Sequence, residues 1–211
     1  MCRLLCVRSG RHFDMRPHLE ALAEISCNSK EYQGHGWGCA WIRGGEWHVY
    51  RNIDPIWQDH HSVAGETTLM VAHARSAFKN EGIRVDNNMP FMDGGYVFGF
   101  NGELRGVRIK EQGRTGAEKI FNYIRRFDSG DMLQALERSL AIIGRRTRYV
   151  RAINLVIASK ARVFVASHFN EDPEYFQMQT HRSDGVHILC SQRYPGEHDW
   201  MPVPNGTIDV F

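Results

Sequence analysis

Strand-like and helix-like stretches in this chain fall into blocks instead of alternating, which argues for an α+β architecture over a doubly wound parallel sheet. A short strand is expected at residues 3–7 and a helix at 17–26, with Pro17 in its first turn. Apolar runs bounded by glycine or polar residues mark strands at 38–42, 47–50, 69–72 and 96–100. Two helices follow, near 117–127 and 132–143, the second carrying Leu133, Leu136, Leu140 and Ile143 at helical spacing. A second strand block covers 153–158, 162–167, 175–180 and 186–190. The dipeptide Asn205-Gly206 reads as a hairpin turn ahead of a last strand at 207–211.

At 211 residues, 42% hydrophobic and 24% charged, the chain can bury one substantial core, so a single domain over 1–211 is expected. No apolar run approaches the length needed to span a bilayer, and Met1-Cys2-Arg3-Leu4-Leu5-Cys6 lacks a signal-peptide core. A cytoplasmic protein without a membrane partner is the expectation. The five cysteines form no Cys-x-x-Cys pair, and an odd number without a secretory signal argues for reduced thiols. A formal charge of +2 is too mild to imply nucleic acid. The cluster Arg145, Arg146, Arg148 and Arg151 reads first as a solvated helix end, where cations suit the helix dipole.

Among the five cysteines, Cys2 stands apart. Removal of Met1 would leave it carrying both a thiol and a free α-amino group. The amine, with a pKa of about 7.7–8.0, can take the thiol proton near neutral pH, so one residue would hold nucleophile and base. The competing reading is that Cys2 merely opens a buried strand as a small hydrophobe. Attack on an amide carbon makes an oxyanion that preorganised donors must hold. Asn101 and Gly102 can supply them, one through the side-chain amide and the other through its backbone N–H. Asn-Gly is also the commonest type I′ turn. Arg75, just beyond an apolar strand, has the planar fork to bind a carboxylate, although a lone arginine is more often a surface ion pair. The eleven histidines have no metal-ligand spacing, since the adjacent His60 and His61 diverge on any regular element; neither a metal nor a cofactor is expected.

Taken together, Met1-Cys2-Arg3-Leu4-Leu5, Gly36-Trp37-Gly38, His73-Ala74-Arg75, Asn88-Met89-Pro90-Phe91, Phe100-Asn101-Gly102-Glu103-Leu104 and Thr115-Gly116-Ala117-Glu118 resemble type 2 glutamine amidotransferases. The C-terminal Ile188-Leu189-Cys190-Ser191 and Trp200-Met201-Pro202-Val203-Pro204-Asn205-Gly206 look like the stand-alone branch of that family. The resemblance implies an N-terminal nucleophile hydrolase fold: a four-layer αββα sandwich with two antiparallel sheets between helical layers. It also implies a glutaminase half-reaction. Cys2 would attack the γ-carboxamide, Asn101 and Gly102 would form the oxyanion hole, and Arg75, with His73 and Glu118, would bind the substrate.

Four positions depart from the family pattern. Gly116 stands where an aspartate usually holds the substrate's α-ammonium, and His35 replaces an aspartate before Gly-Trp-Gly. Met89 and Phe100 each stand where the stand-alone relatives carry histidine. Glu118 could substitute for the missing aspartate, but Thr115-Gly116-Ala117-Glu118 also has the pattern of a helix capping box.

The leading expectation is therefore a cysteine-dependent hydrolase of glutamine or a related γ-glutamyl amide, releasing ammonia or an amine. The alternative is a catalytically weakened homologue that binds a metabolite or a partner. Expected partners are the γ-glutamyl small molecule, a separate ammonia-accepting synthetase subunit where ammonia is passed on, and a second copy of the chain where it forms a homo-oligomer.

Overall fold

The computed structural model describes residues Met1–Phe211. In chain order the elements are β1 (Arg3–Asp14), α1 (Arg16–Cys27), β2 (Trp37–Arg43), β3 (Glu46–Asn52), α2 (Ile56–Asp59), β4 (Glu66–Ala74), β5 (Phe91–Asp93), β6 (Tyr96–Val107), α3 (Gly116–Arg125), α4 (Met132–Arg145), β7 (Thr147–Ala158), β8 (Val163–Phe169), α5 (Pro173–Phe176), β9 (Gln179–Ser183), β10 (Val186–Cys190), β11 (Met201–Pro202) and β12 (Thr207–Val210). Seven strands form one sheet in the order β11-β9-β10-β1-β4-β2-β3, and five form the other in the order β12-β8-β7-β6-β5. Every pairing is antiparallel. No helix is long and apolar enough to cross a membrane.

The alternation of side chains along a strand turns this topology into layers. On β1, Leu5 and Val7 face α1, where they meet Leu19, Leu22 and Ile25. Leu4 and Cys6 face the other sheet and pack with Val97, Val156 and Val165. Met70 and Ala72 of β4 join the first group, whereas Leu69 and Val71 join the second. Phe98, Phe100, Leu155 and Ile157 of the smaller sheet turn outward onto Ile120, Phe121, Ile124 and Leu136 of α3 and α4. The result is helix, sheet, sheet, helix: the αββα sandwich. Each fully buried leucine or valine between the sheets contributes about 1.5–3 kcal/mol, so a charge at Val71 would break the layer. Gly99 lets the sheets approach, because a Cβ there would overlap Leu4 Cδ1.

β1 and β6 run on to Asp14 and Val107, well past their expected ends at 7 and 100, and three further segments differ from the sequence reading. Residues 175–180 are not one strand, since Tyr175 and Phe176 close the short helix α5 and β9 begins at Gln179. Pro173 at the first turn starts that helix, a signal that the aromatic run obscures. Asn205-Gly206 does not close a hairpin. β11 pairs with β9 in the larger sheet while β12 pairs with β8 in the smaller one, so the turn passes the chain between sheets, and Asn205 Oδ1 accepts from the Phe169 N–H at 2.9 Å. Arg148 and Arg151 lie on β7 instead of at a helix end. The register skips at Arg151, because Glu103 pairs with Ala152 and Leu104 with Val150, a bulge that re-aims the arginine.

Candidate active site

The period-two argument reaches Cys2 directly. Leu4 and Cys6 project between the sheets, so Cys2 continues the same face at the end of β1. Its thiol is buried and faces the turn after β4, where the Ser76 N–H reaches Sγ at 3.4 Å. Burial raises the Cys2 pKa, while the adjacent N-terminal ammonium, the Ser76 N–H and the Arg75 guanidinium pull it back down. At Cys6 and Cys190 burial outweighs what Arg8 offsets at the first and the Gln192 N–H, Arg3 and the Ser191 N–H offset at the second. Burial pushes them up to about 12 and about 11, and they serve as core hydrophobes.

β6, which packs against β1 and β4, carries Asn101. Val97 and Gly99 face the larger sheet, so Asn101 does too. Asn101 lies inside a strand, paired with Asn154 of β7, which rules out the type I′ turn. Its side chain is fully buried, and neither Oδ1 nor Nδ2 has a hydrogen-bond partner. A buried amide left unpaired costs roughly 1–3 kcal/mol for each unmet group, so the position is held against its own stability. Gly102 is tightly seated, because a Cβ would overlap the Ala152 carbonyl oxygen and crowd the Phe100 ring. His73 fixes this segment: its Nε2 lies 3.0 Å from the Phe100 carbonyl, which can only accept, so the ring proton sits on Nε2. Burial lowers the His73 pKa to about 3 and keeps the ring neutral. Fully buried, His73 positions the backbone that leads into Asn101.

Arg75 is held from both sides. Nη1 donates to Asn88 Oδ1 at 3.1 Å, and Nη2 reaches the Glu81 carbonyl at 3.5 Å. Asn88 is itself fixed by donating Nδ2 to the Asn52 carbonyl at 2.6 Å. No carboxylate of the chain pairs with Arg75; its charge is balanced by neutral dipoles, leaving a guanidinium beside Cys2 for an external anion. His35 accepts the Ala77 N–H on Nδ1 at 2.9 Å and so pins the same turn. Burial, then the Arg75 and N-terminal charges, lower the His35 pKa, which favours this neutral acceptor form.

Glu118 makes no hydrogen bond or ion pair to Cys2, Asn101 or Arg75. Thr115 Oγ1 accepts the Glu118 N–H at 3.1 Å as an N-cap, and the Glu118 carboxylate binds the Arg114 guanidinium at 2.5 Å. Its hydrogen bonds to Arg114 lower its pKa. The capping role accounts for it, and Gly116 offers no charge in its place.

Three residues of the site escape a reading of motifs. The Met1 α-ammonium pairs with Glu31, and its carbonyl accepts from the Tyr175 hydroxyl at 2.6 Å and from Gln33 Nε2. Gln33 is fully buried, and its Oε1 has no partner. Glu31 is tied in turn to Arg151 at 3.2 Å, and Arg151 also holds Glu103 at 3.3 Å and Asp172 at 2.5 Å. These residues sit in loops and a four-residue helix far apart in sequence, and only the lone acidic residue between Lys30 and Tyr32 carried any signal. No group of three or more His, Cys, Asp or Glu side chains is placed to hold a metal ion.

No family model matches this chain, and no curated protein matches it by sequence. Solved structures do. A glutamine aminotransferase class-II domain protein from Silicibacter pomeroyi superposes over 99% of this chain and 94% of its own, with a TM-score of 0.66 and 17% identity. A predicted glutamine amidotransferase from Pseudomonas aeruginosa matches over 100% and 97%, with a TM-score of 0.61 and 15% identity. Glutamine phosphoribosylpyrophosphate amidotransferase from B. subtilis matches 90% of this chain with a TM-score of 0.65 and 14% identity, the match spanning 42% of that enzyme. The chain therefore shares the fold of these structures, the four-layer sandwich that its two antiparallel sheets and flanking helices build.

Proposed function

We propose that this chain, once Met1 is removed, hydrolyses the γ-amide of glutamine or of a related γ-glutamyl compound through a thioester on Cys2. The observation that carries this reading is the fully buried Asn101 amide with no partner of its own, on the face of β6 toward which the alternation of β1 also turns Cys2. A donor kept unsatisfied in the ground state is free to meet charge that develops during reaction. The Cys2 α-amine takes the thiol proton, the thiolate adds to the γ-carbon, and the oxyanion rests on Asn101 Nδ2 and the Gly102 N–H. Arg75 holds the α-carboxylate, and Asn88 and the Glu81 carbonyl aim it. The released ammonia goes to solvent or to an acceptor subunit. The fold shared with amidotransferase structures supports the reaction class.

Intact mass before and after incubation with a glutamine-derived diazoketone tests the proposal, with Cys2→Ala as control. Loss of Met1 and one Cys2-dependent adduct, blocked by excess glutamine, is expected. Processed protein that forms no adduct would contradict it. That result would favour a second reading, a metabolite-binding homologue, which rests on the absence of any carboxylate at Gly116 and the commitment of Glu118 to Arg114.

A further inference from the structure

We infer that the space Met1 leaves beside Cys2 seats the amine half of the substrate, and that this amine is an apolar cation larger than ammonia. The inference rests on the hydrolase reading above. The Met1 side chain packs on a cluster of Ala152, Phe169, Tyr175 and Phe176, all buried. Ala152 is also the residue whose carbonyl abuts Gly102, so this apolar wall adjoins the oxyanion-stabilising backbone. The niche opens next to the thiol, because the Met1 carbonyl carbon is bonded to the Cys2 nitrogen.

Met1 reports what the niche accepts. Its thioether chain occupies the apolar wall, and its ammonium, branching from the same carbon, lies against Glu31. Glu31 is braced by Arg151, so the carboxylate keeps its place when Met1 departs. Removal strips Glu31 of its ammonium and takes one acceptor from Gln33 Nε2, while Gln33 Oε1 is an unmet acceptor already. An alkyl stem ending in an ammonium satisfies the wall and the carboxylate together, and its amide N–H can meet the Gln33 oxygen. The carboxamide of glutamine can offer the same N–H to Gln33, but it has no stem for the wall and no charge for Glu31.

The chemistry balances without a further reactant. The Cys2 thiolate bonds to the γ-carbon, the C–N bond breaks, and the thiol proton, carried by the α-amine, leaves on the departing amine. Water then adds to the thioester carbon, the C–S bond breaks, and one water proton restores the thiol as glutamate departs.

The test is glutamate release by the full processed chain from three amides: glutamine, γ-glutamyl-n-butylamide and the γ-glutamyl monoamide of diaminobutane. The diaminobutane amide is expected to show the highest kcat/KM, about tenfold above the butylamide, as a hydrogen-bonded charge contributes, with glutamine lowest. Glu31→Gln should bring the charged-to-neutral ratio close to one. Glutamine as the best substrate, or equal rates for all three, would overturn the inference and leave the glutaminase reading standing. An equal fall on all three amides in Glu31→Gln would also overturn it, by assigning Glu31 to the Cys2 amine. Failure of every amide to turn over would remove both readings at once.

Discussion

Asn101 and Asn154 stand opposite each other on β6 and β7, on one face of the smaller sheet, and both are fully buried. Asn154 is spent on structure. Its Nδ2 donates to the Phe176 carbonyl at 2.7 Å and its Oδ1 accepts from the Ser167 hydroxyl at 2.9 Å, which joins three elements behind the site. Asn101, one strand away, makes neither kind of bond. Burial and residue type are the same, so the difference between the two lies only in what each amide has been given to hold. A satisfied amide stabilises the fold, and an unsatisfied one is a donor in waiting.

That contrast can be broken in order of effect. Cys2→Ala should abolish turnover completely while the unfolding midpoint holds, because Sγ makes only two long contacts, to the Ser76 N–H and the Ser76 carbonyl; ammonia or amine release and a urea melt measure the two sides. Asn154→Ala should lower stability by about 2–4 kcal/mol in urea unfolding, since the Phe176 carbonyl and the Ser167 hydroxyl are both orphaned. Gly102→Ala should cost about 1–3 kcal/mol and slow the reaction, because the added methyl must push against the Ala152 carbonyl.

A pH experiment sharpens the same comparison. Burial holds His73 at about 3 against an ordinary 6.5, so between those values the unfolded chain takes a proton that the folded chain refuses. Its contribution to stability is present above 6.5 and is lost as pH falls toward 3. His18 and His187, both lowered to about 4 by burial, act in the same direction. His73→Gln should therefore flatten the dependence of unfolding free energy on pH by about 1.4 kcal/mol per pH unit across the acid limb.

The strands were legible because β1, β4, β6 and β7, buried on both faces, read as apolar runs, whereas the four-layer arrangement came from the family resemblance. Asn101-Gly102 could be named as donors, but a dipeptide that serves turns equally well becomes a strand interior only when β7 pairs with it across the whole of β6. His73 was named from its place beside Arg75; its bond to the Phe100 carbonyl, 27 positions away in the chain, is something no local pattern encodes. Glu31, Gln33 and Tyr175 were illegible for a different reason. Their meeting at Met1 depends on contacts across 30 to 174 positions of chain, and no local pattern encodes that. Arg151 was hidden by a bulge, which alternation cannot foresee.

The most direct measurement pairs the rate of glutamate release by the processed chain with its urea midpoint, for the original protein and for Asn101→Ala. A fall in kcat of about 10²–10³, as loss of one oxyanion donor gives, with a midpoint unchanged or raised, is the predicted outcome. An unchanged rate with a lowered midpoint would make Asn101 a second Asn154 and would contradict the account.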